Sequence, residues 1–358
     1  MKVAIISDQH FGARNDSLHF LDFYEKFYSE TFFPTLLSGG IKTVLILGDT
    51  FDRRKYVNFY SLQRAKKMFF DPLAANKINV YMLVGNHDTY YKNTNSVNSP
   101  VLLLDDYDNI LTISEPQTLT IAGKYDIAMM PWICAENYED SMSLLKSTTS
   151  PICMGHFEIE GFQMYRGAPS HEGLEPKLFE KFHMVFSGHY HHKSSKGSIH
   201  YLGNPYELTW QDYDDPRGFH IFDLETHDLQ FIKNPNSIFK KIIYDDKKYS
   251  IKEISEMDLS TYKNSYVKVV VVNKTNPYLF DVFVNNLYQA NPIDITIAED
   301  LVEIEDVEDV DQTEDTTTIL NKYIDNLATD LNKDKLKTLL RELYVEALNG
   351  EDTYNDNF

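Results

Sequence analysis

Residues 80–88, Val80-Tyr81-Met82-Leu83-Val84-Gly85-Asn86-His87-Asp88, decide the fold. An apolar run stops at a glycine, and an amide, an imidazole and a carboxylate follow at once. Such a run predicts a buried strand that delivers polar groups to one rim of a sheet. Four other runs repeat the pattern. Val3–Ile6 leads into Asp8 and His10, Val44–Leu47 into Gly48-Asp49, Ile152–Met154 into Gly155-His156, and Met184–Phe186 into Gly188-His189-Tyr190-His191. Metal-binding side chain types therefore gather at strand ends.

The chain of 358 residues, 42% hydrophobic, is long enough for one large core with smaller appendages. No apolar stretch approaches the roughly 20 residues that span a bilayer. The start, MKVAIISDQH, ends its apolar run in acidic and polar residues without a small-residue cleavage site, so it reads as a strand and not a signal peptide. An intracellular, cytoplasmic location is expected. The two cysteines, Cys134 and Cys153, cannot form a disulfide framework and read as buried thiols. The net charge of −20 divides unevenly, as −8 for residues 1–235, +1 for 236–297 and −13 for 298–358. Most of the excess lies in the tail, and several acids of the first segment would be committed to metal. Acidity therefore does not exclude a DNA partner.

Residues 1–235 read as alternating strands and helices, an α/β pattern. Asp16–Leu37 forms a helix rich in aromatic residues, and Asn58–Ala75 forms a second. Apolar side chains on more than one helical face are covered either by the core of the same chain or by a second copy in a homodimer. Asn93–Pro100 has turn chemistry and reads as a loop leaving the site. Leu111–Trp132 is β-rich, with Ile127–Trp132 a buried strand ending at the same rim. Met142–Ser150 reads as a helix, Gly161–Gly173 as an irregular loop over the site, and Ser198–Leu202 and Gly218–Leu224 as strands.

A boundary falls near Asn234-Pro235-Asn236-Ser237, which sets residues 1–235 apart from a small unit at 236–298. That unit reads as a strand at Tyr266–Val272, a helix at Pro277–Ala290 capped by Asn276, and a strand at Ile293–Ile297. It is too small for a large core of its own and is expected to lean on the first domain. Residues 299–316 form an acidic linker, with ten acids and no base at 299–315. Two short amphipathic helices follow in 317–350, either packing as a hairpin or docking on a partner protein.

The chemistry lies in the ordered series Asp8-x-His10, Gly48-Asp49-x-x-Asp52, Gly85-Asn86-His87-Asp88, Gly155-His156 and Gly188-His189-x-His191. Oxygen and imidazole ligands without cysteine suit Mn²⁺, Fe or Zn²⁺ better than a structural zinc site. Where two cations share one carboxylate, Asp49, central in the series, is the natural bridge. Arg14, Arg53, Arg54 and Lys55 follow two of these loops. They either meet DNA phosphates or form a solvated basic surface.

This motif order resembles the calcineurin-like metallophosphoesterases over about residues 1–235. In more detail it is similar to the SbcD-type DNA repair and recombination nucleases, especially their T-even bacteriophage branch. The residues carrying that likeness are Asp8-Gln9-His10-Phe11-Gly12, Gly155-His156-Phe157-Glu158, Ser187–His191, Gly203-Asn204-Pro205-Tyr206-Glu207 and Arg217-Gly218-Phe219. The resemblance implies a four-layer β-sandwich flanked by helices, a small α/β capping domain that binds DNA, and C-terminal helices that grip an SbcC-like coiled-coil ATPase. It implies two divalent metal ions, Mn²⁺ first and Mg²⁺ as an alternative. Asp8, His10, Asp49 and His191 would hold one ion, and Asp49, Asn86, His156 and His189 the other. His87 would be the catalytic histidine, with Asp88 fixing its imidazole. Asp52 departs from some members, which have histidine there. It either orients His87 or a water, or caps the following helix. His171, His183 and His192 match no ligand position. The activity implied is duplex exonuclease and single-strand endonuclease. The alternative is a phosphodiesterase or phosphatase acting on a small molecule or phosphoprotein.

Overall fold

The computed structural model describes residues 1–299, together with 333 and 335–337. The C-terminal unit, Ile304–Phe358, is thus described only at four helical positions, and the expected acidic linker and terminal helices lie otherwise outside the described residues.

Strands run in chain order as β1 (Lys2–Ile6), β2 (Thr43–Ile46), β3 (Asn79–Leu83), β4 (Ile110–Ile113), β5 (Gln117–Ile121), β6 (Tyr125–Met130), β7 (Ile152–Gly155), β8 (Gln163–Tyr165), β9 (Ala168–Pro169), β10 (Met184–Ser187), β11 (Ser194–Lys196), β12 (Ile199–Tyr201), β13 (Gly218–Asp223), β14 (Leu229–Lys233), β15 (Phe239–Asp245), β16 (Tyr266–Asn273) and β17 (Asp294–Ala298). One six-stranded sheet has the order β14-β13-β1-β2-β3-β4, and the other β11-β12-β10-β7-β6-β5. The members β1 to β4 pair in parallel, as do β6, β7, β10 and β12. Parallel strands are buried on both faces, which explains their unbroken apolar runs.

Alternation along these strands builds the layers. Val3, Ile5, Leu45, Leu47 and Leu83 meet Ile127, Met129, Ile152, Met154 and Phe186 between the two sheets. The opposite side chains of the first sheet, Ala4, Ile6, Val44, Ile46, Val80 and Met82, pack on an aromatic layer of Phe20, Tyr24, Phe27, Tyr28, Phe32, Phe69 and Phe70. Ala128, Met130, Cys153 and Val185 of the second sheet pack under Met142 and Leu145 of the helix Tyr138–Ser147. The order helix, sheet, sheet, helix is the expected four-layer α/β sandwich.

The two long helices each contain a proline and each absorb it in the same way. Leu18–Phe27 and Phe33–Ser38 are joined through a wide turn at Tyr28–Phe32, and Phe59–Ala65 and Asp71–Ala75 through one at Lys66–Phe70. Pro34 and Pro72 follow these turns. A proline lacks the N–H and crowds the carbonyl four residues back, here Glu30 and Met68, so widening the turn around that carbonyl keeps the helix continuous.

Some elements differ from expectation. The stretch expected as a loop to Pro100 already starts a helix at Ser99–Leu104, because Asn98 accepts the Val101 N–H and Pro100 needs no donor there. The helix expected at Met142–Ser150 spans Tyr138–Ser147. The irregular loop at 161–173 contains the β8–β9 hairpin. The small unit holds three parallel strands, β15-β16-β17, where two were expected. Lys240 and Lys241 interrupt the apolar run of β15, an edge strand whose solvent side is free to be polar. The unit has a small core of Tyr244, Val267, Val269, Phe280 and Phe283. Phe239 and Tyr266 reach out of it to Phe20, with ring centroids 6.1 and 5.7 Å away. Glu207 accepts from Ser237 Oγ and from the backbone N–H groups of Ile238 and Phe239, holding the entry to this unit. No helix among the described residues is long and apolar enough to cross a membrane.

Candidate metal centre

The carboxyl ends of β1, β2, β3, β7 and β10 all open on one rim, and the loops leaving them carry the polar series read from the sequence. Asp8, His10, Asp49 and His189 adopt positive φ, from 46 to 81°. Non-glycine residues enter that region only where surrounding structure outweighs the strain, and such outliers gather at functional sites. The glycines before the ligands serve close approach. A Cβ on Gly85 would run into Asp49, and one on Gly188 into Ser7 Oγ and the Leu47 carbonyl.

The side chains form linked clusters. Asp8, His10 and His191 converge, as do Asp49, His156 and His189, and Asp49 joins His10 and His87 in a third group. His10 Nε2 lies 3.1 Å from His191 Nε2 and 3.8 Å from Asp49 Oδ2. His156 Nε2 lies 3.3 Å from Asp49 Oδ2 and 2.9 Å from Asn86 Oδ1, while His189 Nδ1 lies 3.0 Å from the same amide oxygen. Asp8 accepts the His189 backbone N–H at 2.9 Å, which ties the first and last loops together. Asp8, His10, Asp49, Asn86 and His156 are buried, whereas His87, His189 and His191 are partly exposed and face the opening.

The donor set fits cations. His156 Nδ1 donates to the Leu47 carbonyl at 2.7 Å, so the neutral ring presents a bare lone pair at Nε2. That lone pair is directed at two acceptors, Asn86 Oδ1 and Asp49 Oδ2. Such a contact is repulsive unless a positive charge, proton or metal, stands on or between these atoms. In the metal-free protein protons serve. Burial opposes charge on His156, but the Asp49 carboxylate outweighs it and raises the pKa to about 9. His10 is likewise opposed by burial and raised to about 9 by Asp52 and Asp49. Asp49, despite burial, is held well below the ordinary carboxylate range by His156, His87 and His10.

A pH dependence follows. Imidazoles with raised pKa are protonated below about 9, and metal must displace those protons. Apparent Mn²⁺ affinity is therefore expected to rise with pH from about 6.5 towards 9 and then level off. Calorimetric titration in buffers of different ionisation enthalpy counts the protons released. A flat affinity with no proton release across that window would show neutral imidazoles instead.

His87 Nδ1 donates to the Asp52 carbonyl at 2.6 Å, which leaves Nε2 available. The backbone N–H of His87 donates to Asp49 Oδ1 at 2.8 Å. The Asp52 carboxylate stands 3.3 Å from His10 Nδ1, and the following helix is capped by Asn58, so Asp52 caps nothing. Asp88 was expected to fix the His87 imidazole and does not reach it. Its carboxylate accepts from the backbone N–H groups of Thr50, Phe51 and Gly85, joining the loops after β2 and β3. Of the basic residues, Arg14 donates to the Leu208 carbonyl, and Arg53 is committed to Asp16, Asn15 and Tyr56. His192 bonds Asp215 at 2.7 Å, His183 stands near His227, and His171 is exposed.

The site roles of two residues already named, Arg217 and Trp132, escape the sequence reading. Buried Arg217 donates to the His191 backbone carbonyl and to Asn204 Oδ1, and its charge is met by Asp212 at 2.7 Å and Asp215 at 2.8 Å. It thus holds the loop bearing His191. Replacing Arg217 with methionine is expected to lower Mn²⁺ affinity by roughly 10- to 100-fold, as for other groups that orient ligands. It should also destabilise the fold by about 3–5 kcal/mol, because buried Asp212 loses its counter-charge, while Asp215 keeps Arg166 at 3.6 Å and His192 at 2.7 Å. Calorimetry and denaturant melts measure both, and unchanged Mn²⁺ affinity would remove Arg217 from the site. The second feature is Trp132, whose ring centroid lies 5.2 Å from that of His189.

A two-sheet α/β sandwich whose rim loops carry this Asp, His and Asn series defines a class, the phosphoester hydrolases that work with divalent metals. The chain belongs to the calcineurin-like phosphoesterase family, which residues 1–193 match. It is 32% identical over 311 residues to exonuclease subunit 1 of Enterobacteria phage T4, covering 86% of this chain and 88% of that protein. Among solved structures, a hypothetical protein from Thermus thermophilus is 13% identical with a TM-score of 0.37, covering 66% of this chain and 100% of that one. A nuclease from Pseudomonas putida is 14% identical with a TM-score of 0.30, covering 64% and 86%.

Proposed function

We propose that the chain is a DNA nuclease that hydrolyses phosphodiester bonds with two divalent cations, Mn²⁺ foremost and Mg²⁺ as a substitute. The observation that carries this reading is the convergence of seven candidate ligands, with Asp49 placed between the His10 and His156 sides. The phage T4 relative is named an exonuclease, which supports a nucleic acid as the substrate class. Asp8, His10, Asp49 and His191 would hold one cation, and Asp49, Asn86, His156 and His189 the second. Bound there, a cation pair supplies charge neutralisation for the phosphate and acidifies a water. His87, anchored through Nδ1 on the Asp52 carbonyl, has Nε2 free to act as the general acid towards the departing sugar oxygen.

In the same reading the chain is the nuclease subunit of an SbcCD-like recombination and repair complex in the host cytoplasm. It acts as an exonuclease on duplex ends and an endonuclease on single strands, with residues 317–350 gripping a coiled-coil ATPase. That the relative is named a subunit supports a partner. The exposed Phe59, Tyr60 and Tyr56 at the start of the helix Phe59–Ala65 support pairing with a second copy of the chain. Phe59→Asp is expected to shift a dimer to monomers in sedimentation velocity, and an unchanged mass would place any interface elsewhere.

The deciding assay pairs linear DNA with a chromogenic phosphodiester in Mn²⁺. Cleavage of DNA at much the higher kcat/KM is expected. Turnover of the small ester with intact DNA would favour a small-molecule phosphodiesterase.

A further inference from the structure

We propose that Trp132 is a stacking platform for a nucleobase beside the Asn86, His156 and His189 side of the metal centre. The enzyme would then hold an unpaired strand by a base as well as by its phosphate. This rests on the DNA nuclease reading above.

The placement is rigid. Pro131-Trp132 follows β6 directly, and the Trp132 N–H donates to the Val84 carbonyl at 2.8 Å, next to the loop bearing Asn86 and His87. The Trp132 carbonyl accepts from Asn95 Nδ2 at 2.8 Å and from Asn137 Nδ2 at 3.0 Å. The backbone that carries the indole is thus held on both sides, and the ring lies 5.2 Å from the His189 ring and 6.1 Å from the His156 ring, between centroids. Met130 and Pro131 before it are buried, yet Trp132 itself stays partly exposed.

Leaving a large aromatic ring partly in water at a polar rim forfeits burial that the adjacent cores could have supplied. Base stacking is a use that recovers it, and one that tolerates any sequence because every base has a π-face. A second observation lies on the same side. The loop leaving Asp88 carries exposed Tyr90 and Tyr91, with ring centroids 4.7 Å apart, and Asn95 of that loop is the residue tied to the Trp132 carbonyl. The segment tied to the Trp132 backbone thus also carries two exposed rings, which in this proposal are further surfaces for bases.

If Trp132 serves only to prop His189, its loss weakens metal binding. If it stacks on a base, its loss weakens binding of bases and leaves metal untouched. The chain contains two tryptophans, and Trp210 packs on Phe239 at the entry to the small unit. In the full-length Trp210→Phe protein Trp132 is the sole indole. With His87→Gln added to suppress cleavage and Mn²⁺ present, oligothymidylate is expected to quench Trp132 emission. An abasic sugar-phosphate oligomer of equal length is not. Trp132→Ala in the natural background is expected to weaken oligothymidylate binding by roughly tenfold, with little change for the abasic oligomer and none in Mn²⁺ affinity. Trp132→Phe, which keeps a ring, should retain most of the preference and guards against a folding defect. Equal quenching by both oligomers, equal losses for both, or a fall in Mn²⁺ affinity would overturn the assignment. If the natural protein cleaves DNA while Trp132→Ala binds it normally, only the stacking role falls. If the natural protein neither binds nor cleaves DNA, the nuclease reading falls with it.

Discussion

Asp49→Ala is expected to lose both cations and with them nearly all turnover. The residue is buried, and its Oδ2 lies within 3.3 Å of His156 Nε2 and 3.8 Å of His10 Nε2, one in each candidate ligand set. Removing it takes away the carboxylate common to both positions. It also removes the anion that chiefly holds His156 charged in the metal-free protein, and one of the two, after Asp52, that raise His10. Groups that only orient metal ligands cost roughly 10- to 100-fold when removed, so a shared ligand should cost more than ~100-fold in kcat/KM. Because Asp49 Oδ1 also accepts the His87 backbone N–H, Asp49→Asn serves as the companion variant. It keeps an oxygen acceptor for that bond while deleting the charge. Elemental analysis of the dialysed proteins measures the outcome, and two retained ions in Asp49→Ala would remove the shared carboxylate from the mechanism.

His87→Ala should separate chemistry from metal binding. The imidazole is partly exposed, its Nδ1 is engaged by the Asp52 carbonyl, and it meets His10 edge-on with centroids 4.7 Å apart. It belongs to neither four-ligand set proposed for the two cations. Loss of a positioned general acid typically costs about 10²- to 10⁴-fold. The variant is therefore expected to bind Mn²⁺ normally while kcat falls within that range. KM for DNA should change little. The loss should shrink for a phosphodiester whose leaving group is a weakly basic nitrophenol, since such a group needs no proton. A His87→Ala protein that cuts DNA at the natural rate, or one that loses an ion, would contradict this role.

Much of the site was legible because of how parallel strands are buried. β1, β2, β3, β7 and β10 are covered on both faces, so they read as unbroken apolar runs, and each run points to the next polar residue as a rim residue. The glycine before the ligand was equally informative. At Gly85 and Gly188 a side chain would collide with Asp49 and with Ser7, so the spacing encodes how closely the loops approach. What could not be read is what depends on contacts between distant segments. Asp88 shares the Asn-His-Asp motif with His87, yet its carboxylate turns to three backbone N–H groups, and the imidazole is held by the main chain at Asp52. Arg217 reaches the His191 carbonyl from 26 residues away along the chain. β15 was hidden by Lys240 and Lys241, which suit an edge strand, and the helix at Ser99 by an Asn and a Pro that also suit a loop.

The two-cation nuclease is tested most directly by titrating the metal-free, full-length protein with Mn²⁺. Bound ions per chain would be counted by electron paramagnetic resonance, and degradation of linear duplex DNA followed in the same samples. Two ions per chain, with cleavage appearing as the second site fills, is the expected result. Full cleavage with one ion or none, or two bound ions with DNA left intact, would contradict it.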